Sequence, residues 1–214
     1  MQPAASVQTS QLSLVHSYLF LRRAVGVIGL ALPVVLIAGK LLIEGGDLLP
    51  SISGYYHSVM RGVFVGAMCA VGTFLFSYRG HDRIDDLCGD VAAVAAIGVA
   101  LFPIAGPDPT PGQRVVETVH VVCAAVFFVT LAVFSLFLFT RTGGEPTRRK
   151  TWRNRVYRTC GVVMLVCLVL IALEGLWLAD ELAALKPVLW LESLAIFAFG
   201  VAWWIKGETL LRDP

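Results

Sequence analysis

The sequence predicts an all-α, polytopic membrane protein: one bundle of six transmembrane helices, with both termini on the cytoplasmic side. Three observations lead there. Mean hydropathy is +0.77 and charged residues make up only 15% of the chain, where a soluble domain carries roughly a quarter. Six apolar stretches follow one another with loops too short to fold separately, so one domain is expected over 1–214. The basic residues gather in alternate loops, which is the signature of membrane orientation.

Each span can be justified in turn. Residues 1–17 contain no Lys or Arg and no cleavage motif, so the first apolar run is expected to remain as a span. That span covers about 24–43, after Arg22 and Arg23. Pro33 lies inside it, and Lys40 near its end is expected to snorkel to the headgroups. Ser51 or Ser53 suits the N-cap of a second span over 55–78, and Gly62 and Gly66 give that span a small-xxx-small face. A third span, 90–104, is rich in Ala and Gly, with Asp86 and Asp90 as its expected caps. The Pro-rich turn 107–112 leads to the fourth and most apolar span, 115–140. A basic loop, 141–158, precedes the fifth span over 159–178. The sixth, 188–205, ends on Trp203 and Trp204, which read as an aromatic belt.

Charge sets the orientation. The loops at 79–83 and 141–158, together with Arg22, Arg23, Lys206 and Arg212, hold 13 of the 17 basic residues. The other side has Lys40, Arg61, Arg114 and Lys186. The positive-inside rule therefore places both termini in the cytoplasm of a multi-pass cell-membrane protein. A net charge of +2 spread over loops argues topology and not nucleic-acid binding. Five cysteines, Cys69, Cys88, Cys123, Cys160 and Cys167, show no CxxC spacing and read as packing. No internal repeat relates the two halves, which disfavours an inverted-repeat transporter.

The candidate site comes from ionisable residues at membrane depth. On this topology His57 and Arg61 enter from the outer end of the second span, four residues apart. Glu117 and His120 share a face of the fourth, Glu174 lies in the fifth and Glu192 in the sixth. An unpaired charge costs roughly 2.5–3.5 kcal/mol at the bilayer centre, so such groups are expected to face one another across a polar pocket. Membrane lipid or a small polar molecule is the expected ligand, with Arg61 gripping a phosphate. Two histidines and several carboxylates are also sufficient for zinc or iron, with His57 and His120 as ligands. The bland reading keeps comparable weight: Arg61 pairs with Glu174 or Glu192 as a lock between helices. The loop cluster His81, Asp82, Asp85 and Asp86 reads as a solvated face.

The run Ser53-Gly54-Tyr55-Tyr56-His57 resembles the Ser-x-x-x-His element of the CREST membrane hydrolases, a family that includes alkaline ceramidases and progestin/adipoQ receptors. That resemblance implies a seven-helix core and a zinc site of three histidines, an aspartate and a serine, with Ser53 and His57 as the serine and first histidine. It implies, as the alternative to ligand binding, an intramembrane metal-dependent hydrolase of a lipid amide or ester. The chain departs from the pattern in its six spans, in having no HxxxH in the last span, and in placing Asp82, Asp85 and Asp86 across the membrane from His57. The phrases Met60-Arg-Gly-Val-Phe-Val-Gly66 and Ser77-Tyr-Arg-Gly-His-Asp82 resemble bacterial six-helix integral membrane proteins of unknown function.

The orientation has a direct test. A periplasmic-only reporter fused after Arg212 is expected to be silent, and a cytoplasmic-only reporter at the same point active. The reverse pattern overturns the topology.

Overall fold

The computed structural model describes residues 4–80, 82–142, 145 and 147–207. Its helices are α1 (Ala4–Ile43), α2 (Arg61–Phe76), α3 (Arg83–Leu101), α4 (Pro111–Val133), α5 (Arg148–Leu173), the one-turn α6 (Ala179–Leu182) and α7 (Pro187–Lys206). Phe134–Leu138 and Glu174–Leu178 extend α4 and α5 as π-helical turns, and Ser53–His57 forms a 3-10 helix between α1 and α2. No strand occurs among the described residues. Four segments are long and apolar enough to cross a membrane: Leu19–Ile43, Pro111–Leu138, Arg148–Trp177 and Pro187–Lys206. α2 has 16 residues, about 24 Å of helix at the usual rise. α3 carries Arg83, Asp85, Asp86 and Asp90 in its first two turns.

The long helices form a ring. α1 packs on α2 and α7, α3 lies between α2 and α4, and α5 lies between α4 and α7. One end of the ring carries the 51–58 segment and the loops at 102–110 and 183–186. The other end carries Arg22, Arg79, Arg141, Arg153 and Lys206. These are called the capped end and the basic end below.

Small residues set the closest approach. A Cβ on Gly29 would lie 2.9 Å from Gly200 Cα, and one on Gly200 would lie 2.7 Å from the Leu30 nitrogen. α1 and α7 therefore meet backbone to backbone at this crossing. The expected Gly62/Gly66 contact is not formed: a Cβ on either would meet nothing within 4 Å. Helix periodicity turns both towards the outside, while Gly72 on the same helix touches α3 through the Ala93 carbonyl and Ile97.

The interior between the cavity and the basic end is aromatic. The Trp203 ring stands edge-on to Tyr78, Phe134, Phe139 and Phe199 at centroid distances of 5.4, 5.6, 5.3 and 6.2 Å. Trp203 is only 2% exposed, so it is a core residue and not part of a headgroup belt. Tyr78 follows α2, Phe134 and Phe139 lie in and just after the π-helical turn that extends α4, and Phe199 is one turn back on α7 itself, so no single-helix pattern could have announced the whole set.

The capping of α3 also differs from expectation. Asp82 is the N-cap, accepting from the amides of Ile84 and Asp85 at 3.1 and 3.0 Å. Asp86 instead accepts from the Gly80 amide at 2.8 Å, and Asp90 pairs with Arg79 at 3.4 Å. Helix α3 thus begins at Arg83, well before the expected 90, because Asp82 caps it and the carboxylates of Asp85 and Asp86 in the first turn favour a helix N-terminus. Arg141 ties the α4 end to this turn through Asp82 at 2.9 Å and the buried Asp85 at 3.4 Å. The Asp85 amide, assisted by Arg141, holds the Asp82 carboxyl below the usual carboxylate range. His81 lies outside the described residues.

The glycine contacts yield an expected outcome. Gly200→Ala must push α1 from α7 and is expected to cost about 1–3 kcal/mol. Gly66→Ala, facing open space, is expected to leave the midpoint unchanged or raised, since alanine is the better helix former. Unfolding midpoints in detergent micelles distinguish the two. Equal losses would contradict the packing described.

Candidate functional site

The capped end is built around the segment after Pro50. A helix reaching through this stretch would run straight into α2, but Ser51, Ser53 and Gly54 are turn formers. The Ser51 hydroxyl accepts from the Gly54 amide at 2.9 Å, and Ser58 closes the far end by donating to the Tyr55 carbonyl at 2.8 Å. Between them Ser53–His57 coils as a 3-10 helix with Tyr55 buried. α2 therefore starts at Arg61, six residues later than the sequence pattern suggests.

This inward turn presents amides to the interior, and Glu192 of α7 receives them. Its Oε2 accepts from the Ile52 nitrogen at 2.6 Å and the Ser53 nitrogen at 3.1 Å. The Ser53 hydroxyl reaches Oε1 only at 3.5 Å. One carboxylate oxygen is thus saturated, while the other keeps capacity for a further donor.

Glu192 and Ser53 also line an axial cavity of ≈ 40 Å³, walled by apolar side chains including Leu32, Phe64, Met68, Val99, Phe127 and Phe199. A water needs roughly 10–15 Å³ on such a measure, so the space suits a few waters or one small polar group. A lipid does not fit inside it.

The other expected site residues lie elsewhere. His57 is exposed, and its Nε2 bonds the Ile104 carbonyl at 2.8 Å. His120 is buried, with Nδ1 on the Phe102 carbonyl at 2.6 Å, and Glu117 accepts from the Ala105 amide at 3.4 Å. These three side chains, from two sides, hold the backbone of the loop between α3 and α4.

Arg61 is exposed and lies over the Tyr56 ring, 4.1 Å from its centroid, while donating to the Tyr56 hydroxyl. It pairs with neither Glu174 nor Glu192. Glu174 opens onto a separate cavity shared with Ser51 and Lys186. Lys40, expected to snorkel, is 5% exposed and donates to the carbonyls of Gly45 and Asp47. Gly45 and Gly46 take the left-handed conformation (φ +72 and +71) that brings this loop back over the ammonium.

The arrangement does not fit the expected metal. Ser53 and His57 sit four apart on a 3-10 helix, so their side chains diverge by about 120°, where an α-helix would set them about 40° apart. His57 and His120 each engage a different loop carbonyl. Among the described residues no group of three or more His, Cys, Asp or Glu side chains could hold an ion. All five cysteines are free thiols.

Pro50-Ser51-Ile52-Ser53-Gly54 was the available signal for the inward turn, hidden by the apolar run that follows it. No protein-family model, curated protein or solved structure matches the chain.

Removing the carboxylate leaves two interior amides without an acceptor, each costing about 1–3 kcal/mol. Glu192→Leu is therefore expected to lower stability by about 2–5 kcal/mol. Glu192→Gln, which keeps a carbonyl acceptor, is expected to lose less than half of that. Chemical unfolding of the purified variants measures both. Equal losses for Leu and Gln would mean that the amides do not depend on this acceptor.

Proposed function

We propose that this chain is an integral membrane protein of six spans with both termini cytoplasmic, and that its role is to bind a ligand. The guest of the axial cavity is small and donates a hydrogen bond: a primary ammonium, a hydroxyl or the polar tip of a larger amphiphile. One observation carries this reading. Glu192 lines an apolar cavity, and its Oε1 has only a 3.5 Å contact to Ser53 while its Oε2 accepts from two backbone amides. A carboxylate in apolar surroundings gains most from a charged or strongly polar donor, because the low local dielectric strengthens the contact. The cavity's volume supplies the size limit, and its aromatic floor closes the route towards the basic end.

The topology half of the proposal draws on the basic residues at one end of the ring and on the four segments long enough to cross a membrane. α2 and α3 complete the six as shorter, tightly packed partners of these four.

Titration with small amines tests the binding half. Methylammonium is expected to raise the unfolding midpoint of the wild-type protein in a concentration-dependent way, by mass action on the folded state. Tetramethylammonium is too large for the cavity and has no donor, so it is expected to have no effect. Glu192→Gln is expected to abolish the methylammonium response. Equal responses to the two cations, or no response to any small donor, would overturn the reading.

A further inference from the structure

The cavity beside Glu174 is independent of the axial one and has a different chemistry. It measures ≈ 300 Å³ and is lined by Pro50, Ser51, Glu174, Ala183, Lys186, Pro187 and Val188. That size is at the lower end of small-molecule pockets, roughly 300–1,000 Å³. Its two charged residues are of opposite sign, yet they form no ion pair with each other, and Glu174 has no hydrogen bond or ion pair among the described residues.

Lys186 donates to the Leu48 carbonyl. An ammonium has three protons to give, so two donors remain. The Ser51 hydroxyl accepts from Gly54 and keeps its own proton to donate.

The backbone is unusual on both sides of this cavity. Glu174 begins a π-helical turn, and Lys186 holds a left-handed conformation at φ 50 and ψ 52. π turns and left-handed non-glycine residues are both enriched at binding sites.

We propose that this cavity holds a zwitterionic headgroup carrying a primary ammonium and a phosphate, supplied by a membrane phospholipid of the ethanolamine class. Glu174 receives the ammonium, and Lys186 and Ser51 donate to the phosphate. Two further features point to a lipid and not to a free solute. Trp177, three residues after Glu174, and Trp190, two residues after Val188, are 72% and 53% exposed, as aromatic residues are at the headgroup level of a bilayer. One helical turn beyond Lys186, an apolar groove of ≈ 470 Å³ opens between α1 and α7, lined by Pro33, Ile37, Leu41, Trp190, Leu194 and Phe197. Headgroup cavity and acyl groove thus follow each other along α7.

Native mass spectrometry of the protein released from nanodiscs tests this. With equal amounts of ethanolamine, choline and glycerol phospholipids, the ethanolamine lipid is expected to be retained about tenfold over the others, the factor one charge-assisted hydrogen bond supports. Choline keeps the phosphate but cannot donate from its cation, and the glycerol headgroup has no cation. Glu174→Gln is expected to reduce the preference to within about twofold, as one charge is removed.

Lys186→Gly suits the left-handed backbone, so the helix start is kept while the phosphate contact goes. It is expected to lower retention of all three lipids. Lys186→Arg is expected to keep it. Equal retention of the three lipids by the wild-type chain, or an undiminished preference in Glu174→Gln, would overturn the site. Free phosphoethanolamine displacing the lipid at comparable concentration would overturn its assignment to the membrane. These readouts are separate from the small-amine titration, so either site can fail alone.

Discussion

Everything at the capped end depends on where the backbone hydrogen bonds of residues 51–58 go. A backbone amide buried away from water has no solvent partner, so irregular backbone inside the bundle survives only where the protein satisfies it. Here Ser51 and Ser58 satisfy the ends of the turn, and the Glu192 carboxylate satisfies its interior amides at 2.6 and 3.1 Å. The turn in turn closes the ring of helices above the axial cavity. Glu192 is at once the anchor of that lid and the cavity's only acidic side chain among its lining residues.

The two ends of the bundle solve the same problem by different means. At the capped end, side chains such as Lys40, His57, Glu117, His120 and Glu192 reach the carbonyls and amides of the connecting segments. At the basic end, cations lie on aromatic faces: Arg22 over Tyr78 at 5.3 Å, Lys206 over Phe139 at 5.0 Å and Lys150 over Tyr157 at 5.9 Å. Such contacts let a cation remain near an apolar core at lower cost than burial alone. Tyr78 and Phe139 also pack on Trp203, which in turn meets Phe199 of the cavity wall.

The helical class, four of the six apolar spans and the place of Glu192 just over a turn inside its helix were legible in the sequence, because hydropathy and helix geometry act within one segment. Part of what failed depended on more than one segment. Gly62 and Gly66 have the spacing of a contact face, but only the neighbours decide which glycines are contacts, and these include Gly26, Gly29, Gly72 and Gly200. Trp203 stands at a helix end, where an aromatic belt is a fair expectation, yet three of the rings meeting it, Tyr78, Phe134 and Phe139, lie outside its helix. Lys40 also stands at a helix end, and a glycine pair folds its own loop back onto it. The start of α2 was missed for a local reason: turn residues preceding a long apolar run were absorbed into it.

The gathering of ionisable residues at one end invites the idea of a single site, and its physical origin is different. The connecting segments at one end of a bundle concentrate orphan carbonyls and amides there, so polar side chains gather at that end whether or not a ligand exists. Lys40 serves the 45–47 loop, and His57, Glu117 and His120 serve the loop between α3 and α4. Depth alone therefore does not identify a ligand-binding group. What does is hydrogen-bonding capacity left over after the loops are satisfied, next to a space a guest can enter. Glu192 Oε1 meets that condition at the axial cavity. Glu174, with the remaining protons of Lys186, meets it at the rim.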